Sequence, residues 1–317
     1  LYVLPGMVDI HFHGMKQFDF TSGWYDAATE AFDENSQRLA GGLEMLQKAL
    51  PSHGVTGFYV ATQAQKVAYL QQRLDALADY IAATQSSVRG ARLWGALLEG
   101  SFINPDAAGA QNPELAIAPD IAAFDTLNRS GVIRLANVVP DYDEASNALT
   151  RHITGKGVIV GAGHTRATGD QIAQAVAAGL RYCIHFTNGA MSNSYKPFDG
   201  GGSVEGVLGE DALYAEIIAD GFHVAPAYVR DILARKCFEH MIGITDAMFA
   251  TETDLEEVNW VGMKARVSPG REFIGLASGG NILAGSLLMM DRAVENILNW
   301  LTVDMPCLLY TSDAADE

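Results

Sequence analysis

Residues Gly157 to Met191 read GVIVGAGHTRATGDQIAQAVAAGLRYCIHFTNGAM, and this stretch decides the fold. An apolar run, Val158, Ile159 and Val160, meets Gly161, Gly163 and His164. Thr168 and Asp170 then open a helix that carries Ile172, Val176 and Leu180 at helical spacing. A second short strand, Tyr182, Cys183 and Ile184, ends on His185. The pattern is a βαβ unit with a histidine at the C-terminal end of each strand. Right-handed crossovers set such strands side by side, and in a parallel α/β barrel their C-terminal ends line the face that carries chemistry. Two imidazoles placed there can share one metal ion.

Working outward, VLPGMVDIHFHG (Val3 to Gly14) is an apolar strand ending in His-x-His. The two-residue period of a strand sends His11 and His13 to one side, so both rings can reach one ion. Leu39, Leu43, Leu46 and Leu50 predict a helix over Ala31 to Leu50 that stops at Pro51, and Gly54 to Val60 reads as the second strand. His53 precedes that strand, at the end away from the chemistry, and is assigned to packing. Lys66 to Ala83 is a helix of the outer ring. Leu93 to Leu98 is a buried run that delivers Glu99, where an unpaired carboxylate would be costly without a cation or donors to meet it. Ser101 to Glu114 is a long loop rich in Pro, Gly and Asn. The fourth strand, Val132 to Val139, ends in Pro140-Asp141-Tyr142-Asp143, whose acids read as solvated. After the central unit, a strand through Ile217 and Ile218 leads to Asp220 and His223, and Met241 to Thr245 delivers Asp246. His152 and His240 receive no role.

Eight strands alternate with helices and no internal repeat is visible, which predicts a (β/α)8 barrel of the TIM type over residues 1–250. Five of the eight histidines, together with Glu99 and Asp246, fall at the C-terminal ends of strands. Beyond Asp246 the pattern changes. Residues 251–285 read as part of a small β-sandwich, incomplete because no matching segment precedes the first strand, and 286–306 as a C-terminal helix from about Ala284. Cys307 to Glu317 matches the translation of a common sequencing-library adapter and is set apart as a non-native tail.

Composition narrows the classes. The 317 residues carry a formal net charge of −17, which argues against electrostatic binding of nucleic acid or of an anionic membrane. Cys183, Cys237 and Cys307 show no CxxC spacing, so neither a disulfide framework nor a zinc ribbon is expected, and a reducing cytoplasm fits. No apolar run is long enough for a membrane span, and no targeting signal is visible.

With these residues placed, PGMVDIHFHG, HGVT, LEGSFINP, GHTRAT, IHFTNGAM, DGFHV, TDAM and LAGSLLMMDRAV resemble, in order, the blocks of the amidohydrolase superfamily and, within it, of the N-acetylglucosamine-6-phosphate deacetylase family. The resemblance spans Leu4 to Ile297. It implies a metal-dependent hydrolase that removes the acetyl group of an amino-sugar 6-phosphate in amino-sugar catabolism. Glu99, His164 and His185 would be its metal ligands, and His11 and His13 would hold a second ion with Glu99 bridging. It implies Asp246 as catalytic acid and base, and His223 as a group that contacts substrate and polarises the carbonyl. Asn188, Gly189 and Ala190 would line the sugar-phosphate pocket. The implied cofactor is one divalent ion or two, zinc first, with iron, cobalt or manganese as alternatives; the implied partners are a small amino-sugar substrate and a second copy of the chain in a homodimer.

Departures bear on the substrate. Gln111 stands where the family usually has histidine, Lys196 is the cation found where it usually has a phosphate-binding arginine, and Gly189 is an additional residue between Asn188 and Ala190. Lysine lacks the planar fork of arginine. These differences keep open a related amidohydrolase acting on another N-acyl sugar or N-acyl amino acid, or a chain without activity. The dihydroorotase and hydantoinase type bridges two ions with a carboxylated lysine at the end of strand four. Here that position reads Val139-Pro140-Asp141, and Lys156 lies at the other face.

Overall fold

The computed structural model describes residues 5–84, 89–189, 192, 200–260, 262–277 and 282–301. Its centre is an eight-stranded parallel sheet in sequential order: β1 (Met7–Phe12), β2 (Val55–Ala61), β3 (Arg92–Leu98), β4 (Ile133–Asn137), β5 (Ile159–Ala162), β6 (Leu180–Cys183), β7 (Tyr214–Ile218) and β8 (Met241–Ile244). The sheet curls into a nearly closed barrel. The Asp246 N–H donates to the His11 carbonyl at 3.0 Å, and the His13 and Gly14 N–H groups both donate to the Ala247 carbonyl at 3.0 Å, so the end of β8 is tied to the end of β1. A helix follows each strand: α1 (Leu39–Ala49), α2 (Val67–Thr84), α3 (Ile121–Leu127), α4 (Glu144–Gly155), α5 (Gly169–Ala178), α6 (Ser203–Gly209), α7 (Pro226–Lys236) and α8 (Met290–Leu301).

Strand alternation sorts the side chains into two sets. Phe12, Phe58, Val60, Ala96 and Leu98 point outward into one core with Leu43, Leu46, Leu70 and Leu74 of the helices. Their neighbours Tyr59, Ala61 and Leu97 point inward and, with Leu135, Tyr182 and Ile184, fill the barrel interior. Gly161 gives the Tyr182 ring its place there, because a Cβ on Gly161 would lie 2.4 Å from that ring. By the same alternation Asp9, His11, His13, Glu99 and Glu216 face the axis, which is how residues from distant parts of the chain come to share one rim.

Helices α4 and α5 show why these segments are helical. Each buries one stripe, Leu149 and Ile153 in α4 and Ile172 and Ala175 in α5. The start of α5 is a capping box: the Thr168 hydroxyl accepts the Gln171 N–H at 3.2 Å, and the Gln171 side chain accepts the Thr168 N–H at 2.9 Å.

Two helical expectations are corrected at their starts. Ala31–Asp33 is recruited as a strand against Gly23–Asp26, closing a small antiparallel sheet with Gly14–Met15 and Phe18–Asp19, so α1 begins at Leu39. Leu283–Ser286 is likewise a strand, and the last helix begins at Met290. Leu283–Ser286 completes a second antiparallel sheet with Glu257–Trp260, Met263–Val267 and Phe273–Leu276. The inner face of this sheet (Val258, Trp260, Ala265, Ile274, Ala284) packs on Met248, Phe249 and Tyr25, forming a second core. His53 does not fill a core; its ring nitrogens meet Glu252 at 2.9 Å and Asp291 at 3.2 Å. Among the described residues no helix is long and apolar enough to cross a membrane.

Candidate metal centre

At the C-terminal rim of the barrel, Glu99 is the hub. Its Oε1 lies 3.0 Å from His164 Nε2 and 2.9 Å from His185 Nε2, while its Oε2 lies 3.2 Å from His13 Nε2 and 3.6 Å from His11 Nε2. Two overlapping sets of donors result, His11, His13 and Glu99 on one side and Glu99, His164 and His185 on the other, each with its donor atoms within 4.8 Å of one another. All five side chains are buried. Asp246 completes the ring, its Oδ1 3.2 Å from His13 Nε2 and 3.5 Å from His11 Nε2. His164, His185 and Asp246 sit at positive φ values of 55°, 29° and 50°, in the sharp turns that leave β5, β6 and β8.

The site is electrically coupled. Burial alone disfavours an imidazolium, but hydrogen bonds to Asp246 and Glu99 and the charges of both outweigh it and hold His13 up at about 9. His11 is raised well above the ordinary histidine value in spite of its burial, by Glu99 and Glu216. Burial pushes Glu99 and Asp246 upward, yet the facing histidines win and hold both carboxyls below their usual range.

The residues present fit a divalent ion. His11 Nε2 is fully buried and has no hydrogen-bond partner among the described residues while facing two carboxylates, and imidazole nitrogen with carboxylate oxygen is a donor set suited to zinc and its neighbours. The other ring nitrogens are anchored in part: His164 Nδ1 lies 3.0 Å from the Ala107 carbonyl, and His11 Nδ1 lies 3.1 Å from Glu216 Oε2.

A cavity of about 990 Å³ opens above this centre, lined by His13, Glu99, Gln111, His164, His185, Asn188, His223 and Asp246, with Trp260, Phe222 and Phe273 on its apolar side. Gln111 is clamped by the Ala64 N–H, which its Oε1 accepts at 2.6 Å, and its Nε2 lies 3.3 Å from His164 Nε2. The Asn188 side chain donates to the His223 carbonyl at 3.1 Å. Gly189 is not among the lining residues; its carbonyl accepts the Thr165 N–H at 3.0 Å, and a Cβ there would lie 2.2 Å from the Ile184 carbonyl oxygen. Ala190 and Lys196 lie outside the described residues.

Several contributors were not singled out from sequence. Asp220 accepts the Phe222 and His223 N–H groups at 2.8 Å each and meets His223 Nδ1 at 2.5 Å, which fixes the ring at the cavity wall by that nitrogen. Asp141 is not a solvated acid. It accepts from Asn104 Nδ2 at 2.5 Å, from the Arg166 N–H at 2.8 Å and from the Thr165 hydroxyl, joining the loop after β3 to the loop that carries His164. Glu216 is wholly buried inside the barrel. Its signal in the sequence was a charge in the middle of an apolar strand, YAEII.

No family model matches the chain. The N-acetylglucosamine-6-phosphate deacetylase of Bacillus subtilis (strain 168) is 31% identical over 297 residues, covering 93% of this chain and 69% of that protein. The chain belongs to the N-acetylglucosamine-6-phosphate deacetylase family. An N-acetylgalactosamine-6-phosphate deacetylase of Escherichia coli O157:H7 is 29% identical over 93% of this chain and 71% of that protein. Among solved structures, the N-acetylglucosamine-6-phosphate deacetylase of Thermotoga maritima superposes with a TM-score of 0.80 at 23% identity, covering 98% of this chain and 78% of that one. The barrel described above is thus the fold of the deacetylase family.

Proposed function

We propose that this chain hydrolyses the N-acetyl amide of N-acetylglucosamine 6-phosphate, giving glucosamine 6-phosphate and acetate in amino-sugar catabolism. The observation that carries the reading is the convergence of Glu99, His164 and His185 with Asp246 at the floor of a cavity, in a chain of the deacetylase family. Glu99, His164 and His185 would hold a divalent ion, zinc being our first assignment, which would supply the Lewis acid to polarise the acetyl carbonyl and to make a water acidic. Asp246 faces the same floor from β8. As a carboxylate kept below its usual range, it takes the proton of the attacking water and passes it to the nitrogen, which leaves poorly as an unprotonated amine. His223, turned by Asp220, offers Nε2 to the substrate carbonyl, and Asn188 braces the His223 backbone. Gln111, with its oxygen held by Ala64, presents its amide nitrogen to the cavity as a donor. The family reading also carries a homodimer in the cytoplasm; sedimentation in solution at several concentrations would test the assembly.

Acetate release from N-acetylglucosamine 6-phosphate by metal-loaded protein is the direct test, with Asp246→Asn expected to lower kcat by at least about a hundredfold. The galactosamine epimer belongs in the same assay, because a relative at similar identity carries that name. Turnover of a non-phosphorylated N-acyl compound without turnover of either phosphate would favour the related amidohydrolase instead.

A further inference from the structure

Glu216 is a carboxylate at 0% exposure in the middle of β7, among Ala215, Ile217 and the filled barrel interior. A buried carboxylate is retained against a substantial desolvation cost, and an apolar residue of similar size would serve the core better. Its contacts say what it does. One oxygen, Oε2, lies 3.1 Å from His11 Nδ1 and accepts the His185 N–H at 2.9 Å; the other, Oε1, has no hydrogen-bond partner among the described residues. A carboxylate oxygen facing Nδ1 matches the ring tautomer that carries its hydrogen there, which leaves Nε2 as the nitrogen that would bind an ion. That nitrogen is the buried atom, without a hydrogen-bond partner among the described residues, that is directed at Glu99 and Asp246.

We propose that Glu216 is a positioning residue for the first-strand metal site: it fixes the tautomer and the tilt of His11, so that Nε2 joins His13 and Glu99 in holding a second ion, and through the His185 backbone it ties that site to the one formed by Glu99, His164 and His185. The inference rests on the metal-dependent reading above. Glu216 touches neither substrate nor ion and acts through His11, in the manner of carboxylates behind metal-bound histidines, whose loss weakens metal affinity by about 10- to 100-fold.

The test is metal content and affinity of the whole chain titrated with Zn²⁺, with Co²⁺ absorption as a second readout, in the wild type, His11→Ala, Glu216→Gln and Glu216→Leu. The wild type is expected to hold two ions and His11→Ala one. Glu216→Leu should likewise keep only one, with the cobalt spectrum of His11→Ala. Glu216→Gln keeps an acceptor for both donors, so it should retain the second ion at affinity reduced roughly 10- to 100-fold. Glutamine is close to isosteric, so it keeps the test open should the leucine variant fail to fold. Wild-type affinity for two ions in Glu216→Gln and in folded Glu216→Leu overturns the proposal. So does loss of both ions together in Glu216→Gln, which would mean a role in the fold alone, and so does a wild type with one ion unaffected by His11→Ala. A wild type that takes up no ion overturns the metal-dependent reading itself, a different failure from the others.

Discussion

At the scale of single residues, the metal-free site stores charge pairs whose pH dependence can be derived. His13 is raised to about 9, so its contribution to stability is fully present below the free histidine value and is lost as pH rises through about 9. Glu99 and Asp246 are lowered, so their contribution is present above the ordinary carboxylate values and is lost as pH falls through their depressed ones. Metal-free protein should therefore melt progressively lower between pH 6.5 and pH 9.5. An ion takes the place of the protons on the ligands, so zinc-loaded protein should lose that alkaline decline. Melting temperatures of the two forms across this range check the expectation; parallel profiles would mean that the histidines are not the ligands. The same residues show how far the sequence could be read. The two-residue period of β1 put His11 and His13 on one side, and the cost of a bare carboxylate after a buried run pointed at Glu99. Glu216 was not legible in its role, because it acts on a side chain carried by another strand: a glutamate inside an apolar strand shows that something meets it, without showing that the partner lies 205 residues earlier at His11. Asp220 acts on His223 three residues on, but only the turn between them brings its carboxylate to the ring.

At the scale of elements, strands were easier to read than the loops that aim the ligands. The apolar runs located β1 to β8, whereas the four short strands between Gly14 and Asp33 left no usable period, being two to four residues each. Their pairing in consecutive short hairpins consumed the residues that helical spacing alone had assigned to the start of α1. Asp141 presents a similar case. Read locally it is a loop acid after Pro140, yet in space it receives Asn104, Thr165 and Arg166 and thereby fastens the loop of residues 101–116 to the turn of His164. The Asn104 N–H also donates to the His164 carbonyl at 3.0 Å, so both chains of contacts converge on one ligand. Asp141→Ala leaves these donors unmatched and should destabilise the protein by about 1–3 kcal/mol. It should also weaken the ion held by His164 more than the ion held by His11 and His13. Denaturant melts give the first quantity, and zinc titration of Asp141→Ala beside His11→Ala gives the second. Equal weakening of both ions would show that Asp141 supports the barrel generally and not the His164 turn.

At the scale of the whole molecule, the sheet that ends in Leu283–Ser286 is bound into the site it overlooks. The Ser286 N–H donates to the Asp246 carbonyl at 2.9 Å, the Met248 N–H donates to the Ser286 carbonyl at 3.0 Å, and the Asp246 N–H is held by His11 at 3.0 Å. Asp246 is therefore clamped between β1 and this sheet, and the sheet is kept in place by its own apolar core. Trp260 is central to that core: it stacks on Phe249 with ring centroids 5.4 Å apart and an interplanar angle of 15°, is 3% exposed, and lines the cavity. Trp260→Ala should cost about 3–5 kcal/mol, the range for truncating a buried aromatic side chain. Loss of the tryptophan also removes part of the cavity wall and loosens the clamp on Asp246, so both a higher KM and a lower kcat are expected. Trp260→Phe keeps an aromatic face against Phe249 and should recover most of the stability and most of kcat, with KM still raised because the wall remains smaller. A fall in melting temperature with KM and kcat unchanged in Trp260→Ala would show that the sheet serves stability alone and has no part in shaping the site.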